Sequence, residues 1–341
     1  MHIQESPKSR NYKIDTLRAI GTLLVILAHT SIPTLFSHIR TFDVVMLVWI
    51  SGYSFAISYS KKRTSYKSYI LKRFTKLIIP VYILITFLFL ASYFVCLLLS
   101  REQLYSTSKI LFSYIFDSRG IGYIWIAKVY FIIALISYLL WEFNDRISSN
   151  IVFFVFLTVA LIFYQFLISF DVIRNSYFVR EYMVYLIPYG CIALFGIRCY
   201  NNVQCYKIGI IYFAVLFALT QITMLFTKNS FAPGDFKYPP QIYYLSYGML
   251  FGMLLYFVLP NKKLNCVTWF SYNSFSIYLF HIVNLLIYSV LTQLLDIKLL
   301  SSWYIEYPII ILSSVIETFL FNATKKCFLE KIYAKTKIKK Q

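Results

Sequence analysis

Repeated apolar runs constrain this chain more than any other feature of its sequence. About 20 apolar residues in a row suffice for a helix to cross the ~30 Å hydrocarbon core of a bilayer. The sequence therefore predicts an all-α, polytopic integral membrane protein with about ten transmembrane helices, a transmembrane domain over residues 14–326, and tails over 1–13 and 327–341. The apolar runs lie near residues 14–34, 40–60, 77–99, 121–141, 150–170, 182–199, 207–227, 241–259, 266–293 and 304–326.

The composition supports a membrane protein and argues against a nucleic-acid-binding one. Hydrophobic residues make up 59% of the chain and charged residues only 14%, whereas soluble domains carry about 25% charged residues. The net charge is +19, yet the lysines and arginines flank the apolar runs, where they set topology and meet anionic lipid headgroups. The six cysteines form no CxxC pair, so we interpret them as reduced packing residues and expect no metal site.

The distribution of basic residues predicts the orientation in the membrane. Cytoplasmic segments of membrane proteins carry an excess of Lys and Arg. With a cytoplasmic N-terminus, 22 basic residues fall in inside segments and nine in outside segments. Ten spans also place both basic termini on the cytoplasmic side. The polar N-terminus and the length of the first apolar run argue against a cleavable signal peptide.

Two ionisable residues lie within the first apolar run. Arg18 and His29 are eleven positions apart, and eleven steps of an α-helix return to within about 20° of the starting face. The two side chains would then share one face, ~16 Å apart along the axis. The simpler alternatives are that Arg18 snorkels to the interface and that His29 is a buried structural histidine. Their shared register favours a functional role, because placing an ionisable side chain within a membrane helix costs ~2.5–3.5 kcal/mol on insertion scales.

Three further cations are candidate site residues. Arg73 and Lys76 lie three positions apart on the predicted cytoplasmic side, just before Pro80. This spacing suits phosphate binding, and a simple stop-transfer cluster is the alternative. Lys128 lies within the fourth run, where a lysine faces a cavity or a partner acid more often than lipid. Glu317, within the tenth run, is a candidate for that acid.

Cations on the cytoplasmic side and a histidine deeper in the membrane would suit a long acyl donor with an anionic head and a reactive tip. Coenzyme A is such a molecule: its phosphates would meet Arg18, Arg73 and Lys76, and its arm would span the ~16 Å towards His29. The imidazole would deprotonate an acceptor hydroxyl arriving from the outer side, and Lys128 would stabilise the oxyanion. His281, in the outer half of the ninth run, is a second site residue or, as we favour, a structural histidine. These residues do not identify the acyl group that is transferred.

Several stretches of the sequence resemble one family. That family has an Arg-x10-His spacing on its first helix, which Arg18 and His29 reproduce in this chain. Further matching stretches are spread over essentially the whole chain. They are LRAIG, LVILAHT, WISGYSF, KRFTKLIIP, YIWIAKVYF, KYPPQIYYLSYG and NSFSIYLFH. On these motifs the chain resembles membrane acyltransferase family 3, the O-acyltransferases that modify bacterial surface polysaccharides. The resemblance implies that His29 is catalytic and that Arg18, Arg73 and Lys76 contact acyl-CoA.

Two positions depart from the pattern of that family. The second cation of its Arg-x-x-Arg element is Lys76 here, which keeps the charge but loses bidentate phosphate geometry. The acid that many members carry six residues before the SG pair is Val45, with Asp43 nearby but out of register. We also expect no extracytoplasmic hydrolase-like domain of the kind that longer relatives carry. We therefore expect direct transfer to the acceptor, or transfer through a separate protein.

The function implied by the resemblance is O-acylation in the bacterial cytoplasmic (inner) membrane. The expected donor is acetyl-CoA or another acyl-CoA, and the expected acceptor is a hydroxyl of a free or lipid-linked glycan such as O-antigen, capsule or exopolysaccharide. The alternatives are a polysaccharide or small-molecule transporter and a non-catalytic component of a polysaccharide-export complex. The sequence shows no clear inverted repeat, which argues against a transporter, and it does not indicate an oligomeric state.

Overall fold

Helices make up the regular structure of the described chain, which confirms the all-α class. The computed structural model describes residues 10–98, 100–227, 230–295, 300 and 302–338, with the side chains of 174, 201, 293–294 and 327–338 excepted. Residues 1–9 and 339–341, at the ends of the two predicted tails, therefore lie outside the described residues.

The chain divides into two compact units, Met1–Pro33 with Asn261–Gln341 and Thr34–Pro260. Among its described residues the first unit holds three α-helices: α1 (Tyr12–Leu27), α13 (Asn265–Leu295) and α14 (Trp303–Ile338). The second unit holds α2 (Thr34–Ile39), α3 (Asp43–Lys61), α4 (Tyr66–Arg73), α5 (Ile79–Leu98), α6 (Thr107–Tyr114), α7 (Trp125–Arg146), α8 (Asn150–Leu167), α9 (Asp171–Asn175), α10 (Val184–Asn201), α11 (Val203–Thr227) and α12 (Ile242–Val258).

Each of the ten apolar runs coincides with a helix. In the described part of the chain, eight helical segments are long and apolar enough to cross a membrane. The first and eighth runs form shorter helices instead, α1 with 16 residues and α12 with 17. A polytopic membrane protein is therefore confirmed, since long apolar helices satisfy their own backbone hydrogen bonds where no water is present.

Close backbone contact holds α10 against α3 in the second unit. A Cβ atom on Gly52 would lie 2.0 Å from the Ala193 carbonyl oxygen, and one on Gly196 would lie 2.2 Å from the Trp49 carbonyl oxygen. Only glycine permits this approach at either position. Small residues are the usual means by which helices approach closely in a membrane, where the hydrophobic effect does not drive helices together.

The end of α1 differs from the prediction. The helix ends at Leu27, and the amide of His29 donates to the Ile26 carbonyl at 3.0 Å, a tighter i→i−3 bond. The hydroxyl of Thr30 donates to the Leu27 carbonyl at 2.9 Å and so satisfies a terminal acceptor. Pro33 then prevents the helix from continuing. The prediction that one helix carries both site residues is therefore wrong for His29, which lies in the turn after α1.

Two π-helical segments interrupt the helices of the second unit. One spans Phe74–Ile78, with the Ile79 amide donating to the Phe74 carbonyl, and the other spans Val179–Met183. Pro80 explains the first, because proline has no N–H and its ring clashes with the carbonyl four residues earlier. Widening the helix relieves both problems. Such segments often occur at functional sites.

Candidate functional site

Asp15 organises the charged end of the first unit. The buried carboxylate accepts from the Arg10 Nε at 2.9 Å and from the Ser271 hydroxyl at 3.0 Å. The Arg18 Nη1 donates to the Ser271 oxygen at 3.0 Å and lies 3.5 Å from the Asp15 Oδ1. The Arg18 side chain is still 28% exposed. Asp15 and Ser271 therefore hold the Arg18 guanidinium in place while part of it faces solvent.

His29 and His281 form a pair in the same unit. The Nδ1 of His29 lies 3.1 Å from the Nε2 of His281, and the two rings stack with centroids 5.3 Å apart. His281 lies on α13 and is fully buried. His281 is therefore a buried, hydrogen-bonded histidine whose partner is the predicted catalytic side chain.

The partners of His281 decide which nitrogen of each ring carries a proton. The Nδ1 of His281 contacts the Tyr278 carbonyl oxygen, which can only accept, so this nitrogen is the donor. The Nε2 of neutral His281 is then an acceptor, and the His29 Nδ1 must donate to it. In neutral His29 the lone pair consequently lies on Nε2. A base held in one tautomer by a second group is the arrangement used in catalytic triads.

Arg73 and Lys76 lie at the junction of α4 with the first π-helical segment. Arg73 is the last residue of α4 and its guanidinium lies 5.1 Å from the centroid of the Tyr69 ring, while Lys76 is exposed within the π-helix. A π-helix turns less per residue than an α-helix because its bonds run from i to i+5. The two cations therefore point further apart around the axis than the predicted i, i+3 spacing implies.

Lys128 forms a buried ion pair with Glu181 in the second unit. The Nζ of Lys128 lies 3.6 Å from the Glu181 Oε2, and the two side chains are only 5% and 3% exposed. The ammonium group also lies 5.2 Å from the centroids of both Tyr182 and Tyr185. The acid beside Lys128 is therefore Glu181, whereas the sequence suggested Glu317.

Glu181 and Glu317 have different partners. Glu181, in the second π-helix, accepts from the Ser118 amide at 2.9 Å and from the Ser118 hydroxyl at 2.8 Å. Glu317 accepts from the Asn284 amide nitrogen at 2.9 Å within the first unit. Sequence reasoning did not single out Glu181. Its position shortly before an apolar run was the available signal, but no pattern linked it to Lys128.

A second acid anchors the loop that carries Ser118. Arg119 donates three hydrogen bonds to the Asp117 carboxylate, two from its side chain and one from its amide, each 2.8 Å long, and the Tyr177 hydroxyl also donates to this carboxylate. Hydrogen bonding by Arg119 holds the pKa of Asp117 well below its usual range, although burial opposes the shift. The loop therefore approaches Glu181 with its own charges paired.

The candidate acid–base groups and cations are distributed over both units. The first unit contributes the histidine pair and the anchored Arg18. The second contributes Arg73, Lys76 and the Lys128–Glu181 pair. Within the described residues, no group of three or more His, Cys, Asp or Glu side chains is placed to hold a metal ion.

Comparison with known proteins matches the chain to one protein family. A family model described as an acyltransferase domain matches residues 11–323, which is nearly the whole chain. No curated protein and no solved structure matches the chain.

Proposed function

This chain belongs to acyltransferase family 3 and is a membrane acyltransferase, and from that premise we propose that it O-acylates a glycan. The acyl donor is acyl-CoA, most simply acetyl-CoA, bound from the cytoplasm. The acceptor is a hydroxyl of a free or lipid-linked cell-surface glycan on the outer side of the bacterial inner membrane. The histidine pair is the observation that carries this proposal.

His29 is the general base of the proposed reaction. Its Nε2 takes the proton of the acceptor hydroxyl as that oxygen attacks the thioester carbon. The C–S bond breaks, the new C–O ester bond forms, and the imidazolium returns its proton to the departing coenzyme A thiolate. His281 acts through His29: by accepting from Nδ1 it keeps the ring oriented and stabilises the imidazolium. His281 is therefore a positioning residue.

Cationic side chains bind the phosphates of the donor in this proposal. Arg18 is supported by its anchored, partly exposed guanidinium. Arg73 and Lys76 are supported by their charge and accessibility at a helix junction. Charge-assisted hydrogen bonds to phosphate are roughly twice as strong as neutral ones. Arg18 lies in the first unit and the other two cations in the second, so each cation is tested by its own substitution.

Lys128 remains a prediction as the group that stabilises the tetrahedral oxyanion. Its ammonium group has the charge for this task. Its pairing with Glu181 and its position between two tyrosine rings are equally suited to holding α7 against the second π-helix. Acyl-transfer activity of a stable variant that lacks both charges of this pair separates these two roles.

Acyl transfer is tested by comparing surface glycan from cells with and without the protein. We expect mass spectrometry to show a difference of one acyl unit, whose mass identifies the acyl group. His29→Ala should abolish the modification while the protein still inserts and purifies as the native chain does. Cys266→Ser, which changes an exposed residue on α13, is the control and should retain it. An acylated glycan from cells that carry only His29→Ala would contradict the proposal, as would continued glycan export without acylation by the native protein.

A further inference from the structure

Two cations of the second unit have hydrogen-bond donors without acceptors. The Lys237 ammonium has no hydrogen-bond or ion-pair partner among the described residues, and the buried Nε of Arg40 likewise has no hydrogen-bond partner there. An unsatisfied buried donor such as the Arg40 Nε costs free energy and is rare in native proteins, whereas Lys237 is half-buried and accessible to a ligand. A bound group with acceptor oxygens would supply the missing partner for Lys237, beside the positive charge of Arg40.

The carboxylate of Asp43 interacts electrostatically with both cations, and both of its oxygens already have partners. Asp43 is fully buried, its Oδ2 contacts the Arg40 Nη1, and its Oδ1 accepts from the Val44 amide at 2.7 Å. Asp43 therefore pairs with Arg40 and acts on Lys237 only through its field, so one positive charge at this position has no paired carboxylate. Burial lowers the pKa of Lys237 and the Arg40 charge lowers it further, whereas Asp43 raises it. An anion at this position would compensate that excess charge.

The segment with Lys237 lies close to the turn that carries Arg40. A Cβ atom on Gly234 would lie 3.3 Å from the His38 Nδ1 and 3.6 Å from the Thr41 hydroxyl oxygen. The Tyr247 hydroxyl, on α12, donates to the Ile39 carbonyl at 2.7 Å. These contacts tie the segment 233–241 to the turn after α2. The predicted topology places both on the outer side, which is the side of the acceptor.

Aromatic rings form the wall beside Lys237. The Lys237 Nζ lies 5.1 Å from the centroid of the Trp125 ring and 5.4 Å from that of the Tyr238 ring. The two rings meet edge to face at 5.3 Å, and Tyr238 is 57% exposed. Exposed aromatic faces can pack against the C–H bonds of a sugar, because the negative face of the ring attracts their partial positive charge. The wall is accessible to a ligand through Tyr238.

We propose that Lys237 binds an anionic oxygen group, a carboxylate or a phosphate, on a sugar of the acceptor, with the Arg40 charge adding attraction and with Trp125 and Tyr238 packing against the sugar ring. The assignment of this sugar to the acceptor rests on the proposed function. The binding of an acidic sugar does not, because it requires no acyl donor and no catalysis. The acceptor is accordingly an acidic glycan.

Binding of defined sugars to the full-length protein in detergent tests the proposal. The probes are methyl β-glucuronide for a carboxylate, glucose 6-phosphate for a phosphate, and methyl β-glucoside as the neutral analogue, followed by saturation-transfer NMR. At least one anionic probe should bind about tenfold or more tightly than the neutral one, since charged hydrogen bonds contribute about 1.5–3 kcal/mol. The preferred anion identifies the acidic group of the acceptor. Equal affinity for charged and neutral probes would overturn the proposal.

Variants assign the binding to these residues. Lys237→Gln should reduce the affinity for the preferred anionic probe about tenfold or more, and Lys237→Arg should restore most of it. Lys109→Gln is the matched control, because Lys109 also stacks on a tyrosine ring at 5.4 Å but lies on α6. Tyr238→Ala should weaken both charged and neutral probes. Unchanged affinity in a folded Lys237→Gln protein would contradict the proposal.

A lipid headgroup is the other source of phosphate at this position. Glycerol 3-phosphate carries the same charged group as glucose 6-phosphate but no sugar ring. Weaker binding of glycerol 3-phosphate supports a sugar, whereas equal binding would assign the site to a headgroup and overturn the sugar assignment. Because these measurements contain no acyl donor, failure of acyl transfer leaves their outcome unaffected.

Discussion

The Nδ1 of His29 lies 3.1 Å from the Nε2 of His281, although the two residues are 252 positions apart in the chain. His281 contacts the Tyr278 carbonyl through its other nitrogen. This contact orders the protons on both rings and leaves the lone pair of neutral His29 on Nε2. A turn residue is thereby given the fixed orientation that general-base catalysis requires.

Loss of the His281 ring should reduce catalysis without weakening donor binding. For His281→Phe we expect kcat for acyl transfer to fall about 100-fold, the lower range for a positioned acid–base group, with little change in KM for acyl-CoA. His281→Gln keeps an acceptor and should retain more activity. Initial rates as a function of pH measure both effects. Equal activity of the phenylalanine variant and the native protein would show that His281 does not position His29.

Replacement of Arg18 by alanine should weaken the binding of the acyl donor. A charged hydrogen bond contributes about 1.5–3 kcal/mol, so KM for acyl-CoA should rise about tenfold or more while kcat changes less. Arg10→Ala is the matched control, because Arg10 also bonds to Asp15 but precedes α1. If both variants raise KM equally, Arg18 acts only by neutralising Asp15.

Arg73→Gln and Lys76→Gln should each raise KM for acyl-CoA and make it less sensitive to salt, because each removes one charge from phosphate binding. Lys72→Gln is the control, since Lys72 is an exposed cation next to Arg73 on α4. Steady-state kinetics at low and at physiological ionic strength measure the effect. An equal response of all three variants would mean that only the general surface charge matters.

Separation of the Lys128–Glu181 pair should destabilise the protein. Glu181→Gln leaves a buried ammonium group without its counter-charge, and breaking a buried pair costs about 3–5 kcal/mol. The double variant Lys128→Met with Glu181→Gln should recover much of this loss, while Glu142→Gln, at an exposed position of α7, should have little effect. Unfolding in mixed detergent micelles measures these differences.

The activity of the double variant then separates the two roles of Lys128. A stable double variant that still transfers acyl groups would exclude Lys128 as the oxyanion donor. A stable but inactive one would support that role. A double variant as unstable as Glu181→Gln would contradict the explanation of the instability by an unpaired charge.

Asp117 should make stability depend on acidic pH. Its folded-state pKa is lowered by hydrogen bonding from Arg119, so the stabilisation is complete above the unfolded value of about 3.9. It is lost as the pH falls from that value towards the folded pKa. The difference in melting temperature between the native protein and Asp117→Asn should therefore shrink below about pH 4. A constant difference down to the lowest accessible pH would contradict this assignment.

The helix positions were predictable because membrane helices depend on local sequence. In a bilayer the backbone must satisfy its own hydrogen bonds, so a long apolar run has few alternatives to a helix. Helix ends were less predictable. The end of α1 at Leu27 depends on the turn around Thr30 and on Pro33, and it moves His29 off the helix.

The electrostatic partners were not predictable from one sequence. The sequence suggested Glu317 as the acid beside Lys128, whereas the fold pairs Lys128 with Glu181 through a π-helical segment that no apolar pattern indicates. The pairing of Asp15 with Ser271 similarly joins α1 to α13 across most of the chain.

By itself the sequence determined that this protein is an α-helical membrane protein and an acyltransferase candidate, with Arg18 and His29 as its first site residues. Hydropathy and motif spacing are local properties, so they can be recognised in the sequence without knowledge of how the helices pack. Only the tertiary structure decided that His281 contacts His29, that Glu181 pairs with Lys128, and that Lys237 and Arg40 retain donors without acceptors among the described residues. Those relationships depend on hydrogen-bond distances between helices far apart in the chain, which residue order alone does not specify.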